Sequence, residues 1–338
     1  MTLATSPELT REERARISDI AGTLETLRNE LHRRVVGQES VVTQMFAALL
    51  AEGHCLMVGV PGLAKTLLIS TLAELLSLQF KRIQFTPDLM PSDITGSTVI
   101  RQNENGARDF HFMRGPIFAN LILADEINRT PPKTQSALME AMEEQQVSAG
   151  GKQLKLSPPF FVLATQNPIE QHGTYPLPVS QLDRFLFNIT IDYPSTAEEF
   201  RILVLTTSTY SAGLTPIVTH EEVRDWIALA KKIHVDSQTT NYVASLVRST
   251  RPDSTSAPPA VTRHVTWGAG PRAAQSLLAG ARSMALLAGR DYATVDDVRA
   301  VALPTLRHRI LLSYHATAEG VTPDRIVEGL LAPEESSA

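Results

Sequence analysis

The sequence predicts an α/β core, a parallel sheet with helices on both faces, followed by an all-helical second domain. Three observations carry this. Between residues 54 and 191, short apolar runs of strand length alternate with helical patterns, which is the rhythm of a parallel sheet. Several of those runs are apolar throughout, as central strands covered on both faces are. From residue 219 onward only helical patterns recur. A length of 338 residues suits two domains better than one core.

Taken in order, residues 11–34 place Ile17, Ile20, Leu24, Leu27 and Leu31 at helical spacing, an amphipathic helix. "VVGQESVVTQMFAALLAEG" adds a loop and a second helix. The strands are "CLMVG", "FKRIQF", "LILAD", "FFVLATQ" and "LFNITI". Two segments interrupt them. Residues 93–115 turn around "NENG" and residues 145–157 around "AGG", both in the pattern of exposed hairpins suited to touching another molecule. "DYPSTAEEF" opens a helix with the capping box Ser195 and Glu198. Helices follow over 219–233, 236–250, 271–288 and 294–303, the last opened by Thr294 and Asp297. The expected organisation is a core over 1–193, a linker over 194–218, a helical domain over 219–331 and a disordered tail over 332–338.

Composition narrows the function. Hydrophobic residues make up 43% and charged residues 20%, ordinary for a globular protein. A net charge of −5 argues against coating nucleic acid or an anionic membrane. No apolar stretch reaches membrane-spanning length, and "MTLATSPELTREERARISD" lacks a signal peptide's layout, so the cytoplasm is the expected location. Cys55 is the single cysteine, which excludes an intrachain disulfide and a cysteine-cluster metal site. His54, His111, His172 and His264 lack metal spacing and read as structural, and Trp226 and Trp267 read as core of the helical domain.

The chemistry centres on "GVPGLAKT", residues 59–66, between an apolar strand and a helix. That context makes a phosphate loop, in which backbone N–H groups and a helix N-terminus face an anion. Lys65 supplies a point charge and Thr66 a hydroxyl for Mg²⁺. Ala64 stands where the pattern asks for a second glycine. With a negative φ it is tolerated; in the left-handed region its Cβ costs about 1–2 kcal/mol. "NLILADEINR" ends a buried strand in Asp125 and Glu126, which point to opposite sides. Asp125 can hold a metal shell and Glu126 can deprotonate a water. "FFVLATQNP" ends in Gln166 and Asn167, and Asn167 can position that water.

Taken with "VVGQE", "FTPDLMPSDITG", "GPIFANLILADEINRTPPKTQSALMEAMEE", "ATQNPIEQHGTYPLP", "QLDRFLF" and "GAGPRA", these stretches resemble the MoxR family of AAA+ ATPases over about residues 35–275. The resemblance implies an AAA+ P-loop NTPase core with a C-terminal helical lid, binding ATP with Mg²⁺ between core and lid. It implies Walker A at Gly59, Val60, Pro61, Gly62, Leu63, Ala64, Lys65 and Thr66, with Val36 and Gly37 near the adenine. Asp125 and Glu126 match Walker B, Asn167 sensor 1, Arg184 an arginine finger serving a neighbouring subunit, and Arg272 sensor 2. "GVPGLAKT" is itself a family form, so Ala64 is ordinary there. The family further implies a ring, most often a hexamer, remodelling client proteins as a chaperone does, with partners carrying von Willebrand factor A domains. The hairpins correspond to its helix-2 insert and pre-sensor 1 hairpin.

Two positions depart from the pattern: Val179 where an acid is common, and Gly270 where serine is common. Arg114 and Arg129 fit either an interface or a phosphate contact. Other readings are a nucleotide-gated scaffold with little turnover and a DNA-acting relative. The latter would need basic pore hairpins, whereas residues 145–157 offer only Lys152 and Lys155, and residues 93–115 offer Arg101, Arg108 and Arg114 beside Glu104 and Asp109.

Overall fold

Thr10 starts the first helix, α1 (Arg11–His32), by a reciprocal cap: its hydroxyl accepts from the Glu13 N–H, and the Glu13 carboxylate accepts from the Thr10 N–H. The computed structural model describes residues 9–102, 108–149, 151–169, 173–207 and 213–332. The turn at "NENG", His172 and all but the first residue of the tail expected to be disordered lie outside those residues, as does Gly150 of "AGG".

After α1 come α2 (Glu39–Leu50), β1 (Cys55–Val58), α3 (Lys65–Leu75), β2 (Phe80–Gln84) and α4 (Pro91–Thr95). β3 (Gly96–Gln102) and β4 (Arg108–Arg114) form the first hairpin, then β5 (Leu121–Asp125) and α5 (Pro132–Glu144) follow. β6 (Gln146–Ala149) and β7 (Lys152–Lys155) form the second hairpin, before β8 (Phe161–Gln166), α6 (Val179–Leu182), β9 (Phe187–Thr190) and α7 (Thr196–Thr207). The main sheet runs β2-β5-β8-β1-β9 with all pairs parallel. Its strands therefore end along one edge, where open parallel sheets hold ligands.

Alternating side chains divide the core into two layers. Cys55, Met57, Leu123, Leu163 and Phe187 face α1, α2 and α3, whereas Leu56, Ile122, Val162 and Ala164 face the α4 and α5 side. Burial raises the Cys55 thiol far above its usual range, so it stays neutral. On the first hairpin Ile100 pairs with Phe110, and both stand in solvent at 59% and 73% exposure.

The remainder comprises α8 (His220–Lys232), α9 (Ser237–Ser249), α10 (Pro259–His264), α11 (Pro271–Leu287), α12 (Val295–Leu306), α13 (Tyr314–Ala318) and α14 (Pro323–Leu331). It is not purely helical. β10 (His234–Val235) pairs with β12 (Tyr292–Ala293), and β11 (Val265–Trp267) pairs with β13 (Leu311–Leu312). Strands of two or three residues leave no periodicity to read. Trp226 is buried as expected, but Trp267 is 68% exposed on β11.

The apolar stripe of α1 is buried, and the helix packs on α3, α8 and α11 together. Glu13–Lys232, Arg14–Asp291 and Arg16–Asp225 ion pairs fasten it to the helical region. One hydrophobic cluster consequently runs from β1 and α3 through α1 and α2 into α8, α9, α11 and α12.

Candidate active site

β1 delivers the chain into the loop 59–64, and α3 begins at Lys65. A Cβ at Gly59 would lie 2.1 Å from Ile191 Cγ2 and 2.7 Å from the Ile191 carbonyl, so the end of β9 leaves room only for glycine. Ala64 adopts φ +54°, the left-handed region, so the costlier of the two sequence expectations is realised. Glu126 is left-handed as well, with φ +57°. Strain thus falls on the two segments that would meet a phosphate and its attacking water, where such conformations tend to collect. No side chain caps α3, which leaves its first N–H groups for an anion.

Residues 61–67 face Asp125, Glu126, Thr165 and Asn167 across a cavity of about 470 Å³. Lys65 Nζ donates to the Gly59 carbonyl at 2.5 Å. Burial pulls its ammonium below the usual lysine range, and the carboxylates of Asp125 and Glu126 oppose that pull. Thr165 locks the acids together: its hydroxyl donates to Asp125 Oδ1 at 2.6 Å and accepts from the Glu126 N–H at 2.9 Å. Asn167 is buried, and its Oδ1 accepts from the Ile169 N–H.

A second layer engages both acids. Arg82 donates to Asp125 Oδ2 from Nε at 3.1 Å and from a terminal nitrogen at 2.6 Å. Arg82 also donates to Gln84 Oε1, and Gln84 Nε2 donates to Glu126 Oε2 at 2.8 Å. Arg129 pairs with Glu126 at 3.3 Å, which separates it from Arg114, stacked over Phe118. Arg82 and Gln84 lie two apart on edge strand β2, where they read as ordinary exposed positions.

For a metal, Thr66 and Asp125 line the same cavity and supply oxygen donors, the chemistry a hard divalent cation takes alongside water and phosphate. A guanidinium already neutralises Asp125, so a positive charge belongs at this carboxylate. Among the described residues no cluster of three His, Cys, Asp or Glu forms a self-sufficient metal site.

Val36 is buried, and Gly37 lies under the Glu198 carboxylate of α7. Gln38 Nε2 donates to the Leu63 carbonyl at 3.3 Å, which ties this loop to the cradle. Neither Val36 nor Gly37 lines the 470 Å³ cavity.

Arg184 and Arg272 stand elsewhere. Glu143, at the end of α5, accepts from Arg184 at 2.8 Å and from Arg272 at 2.9 Å. The three line a separate cavity of about 310 Å³ with His54, Asp183 and Ser276. Arg272, expected at sensor 2 on the lid, thus stands beside Arg184 and outside the cradle's cavity. α11 packs its apolar face on α1 and α2, which carries Arg272 to the arginine side. Gly270 caps α11 in extended backbone without a side-chain bond, and Val179 is exposed at the start of α6. His54 is structural: its Nε2–H donates to the Met142 carbonyl and its Nδ1 accepts from the Val162 N–H. Burial lowers its pKa to about 4. Glu143 gave no sequence signal beyond an acidic helix end.

Residues 54–187 match the ATPase family associated with various cellular activities (AAA), and residues 259–330 match the AAA lid domain. The chain is 43% identical over 314 residues to Chaperone MoxR1 of Mycobacterium tuberculosis, covering 91% of this chain and 81% of that one. It is 29% identical over 326 residues to Protein MoxR of Paracoccus denitrificans, covering 91% and 94%. A crystal structure from Cytophaga hutchinsonii, described as that of a candidate ATPase, superposes with a TM-score of 0.87 at 38% identity, covering 95% of this chain and 96% of the other. Among the described residues no helix is long and apolar enough to cross a membrane. With the cradle, the paired acids and these relatives in agreement, the chain belongs to the MoxR family of AAA+ ATPases and hydrolyses ATP.

Proposed function

We propose that this chain hydrolyses Mg²⁺-ATP at seams between identical copies, in a ring of six as in the family, and uses the cycle to remodel client proteins as a chaperone. One observation carries the reading. Lys65, Thr66, Asp125, Glu126 and Asn167 line one cavity, while Arg184 and Arg272 line another. Each is half of a phosphoryl-transfer site, and a second copy can unite them.

Loop amides and Lys65 hold the phosphates, with Val36 and Gly37 beside the adenine. Thr66 and Asp125 would hold Mg²⁺, which would supply charge neutralisation to the phosphates. Glu126 takes the proton of a water that Asn167 orients, and Arg184 and Arg272 from the neighbour meet the charge of the transition state. The exposed Ile100 and Phe110 pair supports client contact at the first hairpin. A partner with a von Willebrand factor A domain is the class the family brings, and the cytoplasm the compartment.

The test pairs mass with and without ATP against turnover per subunit as protein is diluted. A shared site predicts that specific activity climbs with concentration. An isolated copy hydrolysing at full rate would overturn the reading. A second reading, a nucleotide-gated scaffold with little turnover, draws on Arg82 and Gln84, which engage both acids. It predicts that client processing is indifferent to Glu126→Gln.

A further inference from the structure

A buried guanidinium stands behind the arginine cluster. Arg309 follows α12, and its side chain is only 2% exposed. Its Nε donates to Asp183 Oδ1 at 2.7 Å. One terminal nitrogen donates to the Leu186 carbonyl at 3.2 Å and the Thr305 carbonyl at 2.6 Å. The other donates to the Asp183 carbonyl at 3.0 Å, the Phe185 carbonyl at 2.7 Å and Ser276 Oγ at 3.2 Å. All five N–H groups of the fork are used, and three of the six bonds reach backbone carbonyls on either side of Arg184. The last reaches α11 one turn beyond Arg272.

The neighbouring side chains act on the same segment. His308 Nε2–H donates to the Phe185 carbonyl at 3.1 Å, and burial beside Arg309 and Arg307 keeps its ring neutral. Arg307 donates to Thr190 and pairs with Asp324. A charge this deeply buried is costly unless fully paired. Core packing alone would be met by an apolar residue, whereas a planar fork reads backbone carbonyls at fixed angles. Asp183 and Arg309 are 126 residues apart, so the bonds join the core segment to the helical region.

From these bonds we infer that Arg309 is a positioning residue for hydrolysis: it fixes Arg184 and Arg272 together, as one preset pair, for use on a neighbouring copy's nucleotide. The inference rests on the shared-seam reading above. A displacement of about 1 Å at such a group can cost on the order of 10²-fold in rate. The defect should sit on the donating side of the seam and leave the variant's own cradle intact.

Subunit mixing tests this. Arg309→Lys keeps the charge but loses the fork. It should bind a fluorescent ATP analogue within about twofold of the unaltered chain while turnover falls by about 10²-fold. Lys65→Ala subunits have no working cradle but intact arginines. Mixed with Arg309→Lys subunits they should restore turnover by about tenfold or more over either alone, since they lend correctly held arginines to working cradles. Arg184→Ala mixed with Lys65→Ala is the reference. Recovery in both mixtures supports the inference. Recovery in the reference alone overturns it, as does turnover within about threefold of the unaltered chain for Arg309→Lys, or nucleotide binding lost along with turnover. Silence in the reference mixture overturns the seam itself, and the inference falls with it. Should Arg309→Lys fail to fold, Asp183→Asn removes the charged acceptor from the other end, and the same outcomes apply.

Discussion

The cradle and the arginine cluster are built in opposite ways. At the cradle, two backbone positions that would meet the reacting groups, Ala64 and Glu126, are held left-handed, and both acids are engaged by side chains that a metal and a water would have to displace. At the arginine cluster His54 beneath and Arg309 behind are buried, and each ring or guanidinium nitrogen of the two is bonded. The difference lies in the partners: the acids of the cradle hold side-chain bonds that they would exchange on binding, whereas the arginine half is backed by buried groups whose bonds stay within the chain. A preset donor costs no reorganisation when it meets developing charge.

Breaking the preset half gives the largest expected effect. Arg184→Ala should lower turnover by about 10³–10⁵-fold, or about 4–7 kcal/mol, with ATP affinity nearly unchanged. Steady-state kinetics beside equilibrium binding checks this, and an unchanged rate would remove Arg184 from the chemistry. On the other half, Glu126→Gln should cost about 10²–10⁴-fold in turnover and keep ATP bound.

Acid should loosen the preset half. His54 is held at about 4, whereas an ordinary histidine titrates near 6.5. Between those values the unfolded chain binds the proton and the folded chain does not. Stability therefore falls as pH drops from 7 to 5, by about 2 kcal/mol, and the loss levels off below 4. His308, shifted the same way, adds to it. Denaturant melts at both pH values measure the loss, which His54→Asn should shrink.

The smaller effects sharpen the comparison on the strained side. Arg82→Ala removes a cation from Asp125, so half-maximal nucleotide binding should need about five- to tenfold less Mg²⁺, an effect of about 1 kcal/mol. A Mg²⁺ titration of analogue binding reads this directly. Ala64→Gly should raise stability by about 0.5–1 kcal/mol, the strain relieved less the added chain entropy. Equal or lower stability would mean that Ala64 carries no net strain.

Much of this was legible beforehand. Apolar runs gave the five strands of the main sheet, and the stripe of α1 matches its buried residues one for one. Cradle, acids and Asn167 were legible because each sits at the end of a strand, where local pattern fixes position. The hand of Ala64 was not, because a lone alanine in a loop carries no sign of its φ. Arg82, Gln84 and Glu143 act through partners across the sheet or between elements, which periodicity does not encode. Arg309 did leave a trace: "RHR" interrupts the apolar run "ALPTLRHRILL", and charges there are either exposed or fully paired.

The hydrophobic cluster shared by α1, the sheet and the helical region has a mechanical consequence. A subunit whose interior is continuous has no internal hinge line: swinging the lid would wet the apolar faces of α1 and α11 and open voids that close packing resists. A copy packed this way resists bending between sheet and lid, so in the proposed ring the give would belong to the joints between copies.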